Sequence, residues 1–291
     1  MRALPVLTLL SAALLGGCVS VATHGDPAAA TGPMPDDSLN ATAWYQASVE
    51  RDLVYREVYR AAGEHLDAAL ADTSWDALPR ADRDQDPAGL PPAIIVDVDE
   101  TVLDNSAHQV RLIRSGGSFN DASWDTWVQQ RAAPALPGAV AFLDAAARKG
   151  VTVFYISNRD AAQADATVDN LRQAGFPIAG PSQFLGKGTV VEGCTAKGSD
   201  KGCRREQVAR GYRVLMQFGD QLGDFVDIAS NTTAGRAAAL EPYAAWIGER
   251  WWVLPNPVYG SWEPALFGND WSLSPAARRA AKEAALDAIE P

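Results

Sequence analysis

The strongest constraint on the fold of this chain is a seven-residue run, Ala93-Ile94-Ile95-Val96-Asp97-Val98-Asp99, where a short apolar, β-branched segment gives way to acids. Four apolar residues in a row are too few for a helix and suit a strand covered on both faces, as in a parallel sheet. Comparable runs stand at residues 151–156 and 214–218, with a shorter one at 251–254. Between them the apolar period lengthens to three and four, predicting helices near 137–149, 160–174, 203–210 and 221–240. Ahead of the first strand, residues 40–71 place Tyr55, Val58, Tyr59, Ala62, Leu66, Ala69 and Leu70 on one side of an amphipathic helix. Residues 72–92, rich in Asp, Arg and Pro, then read as a loop. Strands alternating with helices predict an α/β fold with a doubly wound parallel sheet, whose active site belongs at the carboxyl ends of the strands.

Composition is consistent with such a fold. With 291 residues, 47% hydrophobic and 21% charged, the chain can bury one large core or two modest ones, which excludes disorder throughout. No apolar run reaches the roughly 18 residues a spanning helix needs, so polytopic membrane proteins are excluded too. A formal charge of −11 argues against a nucleic-acid polymer as partner, while leaving room for a local basic pocket that takes one small anion.

The N-terminus reads Met1-Arg2, an apolar stretch, then Leu15-Gly16-Gly17-Cys18. One positive charge, a short apolar region and small residues before a cysteine make residues 1–17 a lipoprotein signal peptide, with Cys18 the lipidated first residue of the mature chain. An ordinary cleaved signal with an incidental cysteine is the alternative, and a buried N-terminal helix is disfavoured by the aperiodic stretch that follows. Residues 18–39 lack either period and read as a flexible tether. Export puts Cys194 and Cys203 in an oxidising compartment, and a disulfide between them is preferred to a free pair or a metal site. Zinc lacks ligands: the histidines, His24, His65 and His108, are distant in sequence, and the loop has no Cys-x-x-Cys spacing.

The chemistry gathers after the strands. Asp97 and Asp99 stand where the first strand curls into a loop, so both carboxylates can face one cleft; a cation or a shared proton must then offset their repulsion. The second strand ends in Ser157-Asn158-Arg159-Asp160, which can bind phosphate oxygens or simply make a turn and helix cap. After the third, Asp220 and Asp224 lie one helical turn apart; they can share a cation, or merely favour a helix N-terminus.

Asp-x-Asp-x-Thr, then Ser, then a Lys before a helix, then Gly-Asp-x-x-x-Asp resembles the haloacid dehalogenase (HAD) superfamily of phosphotransferases. More closely, Asp97-Val-Asp-Glu-Thr-Val-Leu-Asp-Asn-Ser106, Phe154-Tyr-Ile-Ser-Asn-Arg159, Gly219-Asp-Gln-Leu-Gly-Asp-Phe225 and Leu254-Pro-Asn-Pro-Val-Tyr-Gly-Ser-Trp-Glu263 resemble the class C acid phosphatases, bacterial surface lipoproteins with 5′-nucleotidase activity. The resemblance spans about residues 40–270. It implies an HAD-type, Rossmann-like sheet in a domain over residues 40–291, with a mainly helical cap from the N-terminal, 105–135 and C-terminal segments. It further implies Asp97 as nucleophile and Asp99 as acid/base. Mg2+ would be held by Asp97, the backbone carbonyl of Asp99, and Asp220, with Asp224 orienting a bound water. Ser157, Asn158 and Lys201 would bind phosphate; Lys201 is chosen over Lys187 and Lys197 because it precedes the helix that leads to the Asp220 strand.

Trp124 and Tyr259 are the candidates for stacking a nucleobase, which makes a nucleoside monophosphate the implied substrate. His108 stands where the family often has Tyr, so it can contact the ribose or phosphate, tune specificity or be merely structural, and the loop 190–203 departs from the family pattern. Val19 after the cysteine, where an Asp would retain a lipoprotein in the inner membrane, points to the bacterial outer membrane, and a homodimer follows from the same resemblance. Two other readings stay open: a phosphatase or phosphotransferase for non-nucleotide phosphomonoesters, and a non-catalytic binding lipoprotein. Three histidines and no Cys-x-x-Cys-His argue against a dedicated haem protein.

Overall fold

The computed structural model describes residues 37–288. The signal peptide, Cys18 and nearly all of the tether lie outside the described residues. Helix formation begins at Leu39 and is interrupted after nine residues. Ser48 leaves the helical conformation (φ −84°, ψ 140°), and its hydroxyl accepts the Arg51 N–H, capping a second helix. The stretch expected as one helix is therefore two, α1 (Leu39–Ala47) and α2 (Val49–Ala71). There follow β1 (Pro92–Val96), α3 (Ser106–Ser115), α4 (Asp121–Gln129), α5 (Ala139–Arg148), β2 (Thr152–Asp160), α6 (Ala164–Gln173), β3 (Phe184–Lys187) and α7 (Gly202–Ala209). The chain continues with β4 (Arg213–Gly219), α8 (Thr233–Leu240), β5 (Trp251–Val253) and α9 (Pro275–Ala284).

The five strands form one parallel sheet in the order β3-β2-β1-β4-β5. The order reverses beside β1, so the crevice at its carboxyl end, between the loops after β1 and β4, is the natural site position in such a sheet. Alternation along β1 builds two cores. Ile94 and Val96 join Tyr59, Leu66, Phe142, Leu143, Val153 and Leu171, contributed by α2, α5, β2 and α6. Ala93 and Ile95 join Phe154, Val208, Val214 and Trp251 on the other face. Each such fully buried Ile, Val or Phe contributes about 1.5–3 kcal/mol relative to exposure.

Two expectations need correction. Residues 221–240 are not one helix: Asp224 folds back to accept the Gln221 N–H at 2.8 Å, giving a short 3-10 turn, and α8 starts only where Thr232 caps it through Gly235 N. The edge strand β3 was not foreseen, because Phe-Leu-Gly-Lys carries too short an apolar pattern. Gly186 lets β3 lie close to the chain after β2, since a Cβ there would approach the Ala161 backbone to 2.9 Å.

The helices divide between sheet and site. α2 packs on the sheet beside α5, and Arg213 of β4 closes its end, donating to the carbonyls of Ala69, Leu70 and Asp72 at 2.9, 3.1 and 2.7 Å. α1, α3 and α4 surround the loop after β1, through Gln46 to Ser106 and Trp127 to Asn105. α9 packs on the turn Pro264–Phe267. No helix among the described residues is long and apolar enough to cross a membrane.

Candidate active site

Asp97 is the first residue past β1 and is still tied to β4, its N–H donating to Phe218 O at 2.9 Å. This fixes the carboxylate at the centre of the sheet, 6% exposed, with Thr101 Oγ1 donating to it at 3.2 Å. Asp220 and Asp224 arrive from the loop after β4. One carboxylate oxygen from each of Asp97, Asp220 and Asp224 lies within 4.8 Å of the others. Asp220 is held by the side-chain amides of Gln221 (2.8 Å) and Asn256 (2.7 Å), the latter from the loop after β5. Gly219 makes the approach possible: a Cβ there would fall 2.4 Å from Asp224 Cβ.

Lys201 enters from the residue before α7, 2% exposed, and places its ammonium 2.5 Å from Asp97 Oδ1, 2.7 Å from Asp224 Oδ1 and 2.7 Å from Ile156 O. Lys187 and Lys197, the other candidates, are exposed. Three acids against one ammonium leave the cluster net negative. Burial, together with Asp224 and Asp99, pushes the Asp97 carboxyl up to about 7 in spite of Lys201. Burial, then Asp224 and Asp97, drives Asp220 well above the usual carboxylate range. Burial also works against the charge of Lys201, but Asp224 and Asp97 outweigh it and raise its pKa. A divalent cation fits this set: hard oxygen donors, closely grouped, carrying uncompensated charge.

Asp99 stands apart from the cluster. Its carboxylate pairs with Arg159 (Nε 2.9 Å, terminal nitrogen 2.8 Å), accepts from Asn105 Nδ2 at 2.8 Å and meets Ser157 Oγ at 3.3 Å. Only its backbone carbonyl is thus left for the cation role expected of it. Ser157 is fully buried, its Oγ also accepting the Arg159 N–H, and Asn158 is exposed with its Oδ1 accepting from Arg204 at 2.8 Å.

The first turn of α7 organises these loops. Arg204 also donates to the Ser157 carbonyl, and burial lowers its pKa to about 10. Arg205, fully buried, bonds Asp82 at 2.6 Å, Asp227 at 2.8 Å and the Asp224 carbonyl at 3.2 Å. Cys203, between Lys201 and these arginines, is joined to Cys194 in a disulfide with Cα atoms 5.6 Å apart.

The aromatic candidates reach the site through other residues. The ring of Trp124 lies under the Arg159 guanidinium, 5.6 Å away, and edge-on to His108 at 5.3 Å. The Tyr259 hydroxyl donates to Glu100. His108 is walled in by Phe119, Trp124 and Trp127, with Nε2 3.4 Å from Ser123, so it belongs to this aromatic cluster and not to the phosphate-side residues. Burial, with a smaller contribution from Arg111, holds its pKa down. The most exposed ring of the cluster is Phe119 (58%), which sequence reasoning passed over, although an aromatic between Gly116-Gly117-Ser118 and the helix cap Asn120 signals a displayed side chain. Glu100, Asn105, Arg159, Arg204 and Asn256 were likewise missed, because their roles arise from contacts between distant segments.

The chain is similar to the class C acid phosphatase from Bacillus anthracis, solved with tungstate bound and without it, at 34% identity and a TM-score of 0.75, covering 87% of this chain and 98% of that one. It is also similar to Acid phosphatase 1 of Solanum lycopersicum, 29% identical over 169 residues, 57% of each chain. A further relative is the Stem 31 kDa glycoprotein of Glycine max, 27% identical over 165 residues, 57% of this chain and 58% of that protein. The chain thus spans little more than half the length of these curated relatives. Residues 37–262 match the family described as HAD superfamily, subfamily IIIB (Acid phosphatase), and the chain belongs to that family.

Proposed function

We propose that this protein is a Mg2+-dependent acid phosphatase that hydrolyses phosphomonoesters, with nucleoside 5′-monophosphates as its substrate class. The observation that carries the proposal is the meeting of Asp97, Asp220, Asp224 and Lys201 at the carboxyl ends of β1 and β4. The tungstate in the Bacillus anthracis structure supports it, since that oxyanion stands in for a phosphoryl group.

Asp97 attacks phosphorus in line, forming an aspartyl-phosphate as the ester oxygen leaves. Asp99 protonates that oxygen, then takes the proton of the water that attacks the aspartyl-phosphate and regenerates the Asp97 carboxylate. Ser157 and the Asn158 segment orient the phosphoryl oxygens. Lys201 neutralises their charge by exchanging one of its three acceptors for a phosphoryl oxygen. Asp97, Asp220, Asp224 and the Asp99 carbonyl would hold Mg2+, which supplies positive charge for the approach of two anions. Trp124 and Tyr259 form the stacking surface for the base. The Leu15-Gly16-Gly17-Cys18 motif supports a lipid-anchored enzyme at the bacterial outer membrane.

The direct test is phosphate release by the chain starting at Val19, from adenosine 5′-monophosphate and p-nitrophenyl phosphate, with and without Mg2+, beside Asp97→Asn. Turnover that requires Mg2+ and falls by about 1000-fold or more in the variant is expected. Absence of turnover from folded, Mg2+-loaded protein would instead favour a binding lipoprotein.

A further inference from the structure

Glu100 takes no part in the steps above, yet it combines two unfavourable features. Its backbone is left-handed (φ 58°), a conformation glycine ordinarily occupies. Its carboxyl group is 1% exposed and meets neutral partners: Asn105 N at 2.7 Å, Asn105 Nδ2 at 3.4 Å and the Tyr259 hydroxyl. Glycine would relieve the strain and an apolar side chain the burial, so neither feature explains the choice of Glu. A carboxylate alone offers two acceptor oxygens, one toward the turn after β1 and one toward the loop after β5. The backbone repeats the connection, for the Tyr55 hydroxyl donates to Glu100 O and lies 3.4 Å from Pro255 O. From Asn105 the network continues to Asp99 at 2.8 Å.

We propose that Glu100 is a positioning residue for substrate selection: it fixes the Tyr259 ring relative to the Asp99–Asn105 turn, so that a base engaged at the ring brings its ester oxygen to Asp99. This rests on the stacking role given above to Tyr259.

The test is the ratio of kcat/KM for adenosine 5′-monophosphate to kcat/KM for p-nitrophenyl phosphate, measured in Tyr259→Phe, Glu100→Gln, their double variant and Tyr259→Ala. Tyr259→Phe keeps the ring and loses only the hydroxyl; it should lower the ratio about tenfold, chiefly through KM for the nucleotide, and Glu100→Gln should do the same. The double variant should be no worse than the worse single one, because both break one link. A wild-type ratio in Tyr259→Phe, with the ratio lost in Tyr259→Ala, would overturn the Glu100 link and leave stacking standing. A wild-type ratio in Tyr259→Ala would remove stacking and the proposal with it. Additive losses in the double variant would also overturn it, and Tyr259→Phe alone decides the matter if Glu100→Gln does not fold.

Discussion

Every proton of the Lys201 ammonium has an acceptor, on Asp97, Asp224 or Ile156, and still the surrounding acids are under-neutralised. This makes proton and divalent cation competitors for one place. Asp97, raised to about 7, and Asp220, raised by burial and by its acidic neighbours, bind protons more tightly folded than unfolded, where a carboxyl titrates near 4. The stability this contributes is fully present below the unfolded pKa and is lost as pH rises through the folded value. On the proposed function Mg2+ would take the proton's place, so saturating Mg2+ should raise Tm substantially at pH 8 and little at pH 5, as differential scanning calorimetry can measure. Equal shifts at both pH values would count against the cluster as the cation site. The acids themselves were legible in the sequence, since each follows a strand-like run and a strand end has a known address in this architecture. The partners that set their behaviour were not: Arg159 meets Asp99 across 60 positions, and Tyr259 meets Glu100 across 159.

At the level of elements, the start of α7 does most to assemble the site, since Lys201, Arg204 and Arg205, all within five residues, reach Asp97, the Ser157 loop and the Asp224 loop. The disulfide to Cys194 ties that turn to a largely exposed loop. Replacing both cysteines by serine should cost about 3 kcal/mol of stability, the amount expected for closing a loop of this length. It should also lower kcat by loosening Lys201, an outcome checked by thermal unfolding and phosphate release together. Unchanged kcat with lowered Tm would restrict the bond to a stabilising role. Strands and helices with strong periods were legible, whereas elements set by a single side chain were not. Ser48 and Thr232 each start a new helix inside a stretch whose apolar pattern reads as continuous.

On the scale of the whole molecule, α2 and the sheet are joined through Arg213, whose guanidinium serves three carbonyls at the end of the helix from the middle of the fold. These are charge-assisted bonds in a buried place, so Arg213→Ala should remove about 3 kcal/mol. At that cost Tm should fall by about 8 °C for a domain of this size, without a change in KM. A shift below 2 °C would mean that water replaces the guanidinium. Alternation of strand and helix was enough to foresee a parallel sheet, but strand order was not legible, because it depends on pairings such as β1 with β4 that bridge more than a hundred residues.

The position of Asn256 has a temporal consequence. Asp220 is steadied by an amide that lies beyond β5, and the Tyr259 that faces Glu100 follows three residues later. A chain emerging N-terminus first would carry Lys201 and all three clustered acids long before it could hold them in register. Catalytic competence would therefore arrive late, with the closing strand, and a nascent or truncated chain ending before Trp251 would possess every charged group of the site while remaining chemically silent.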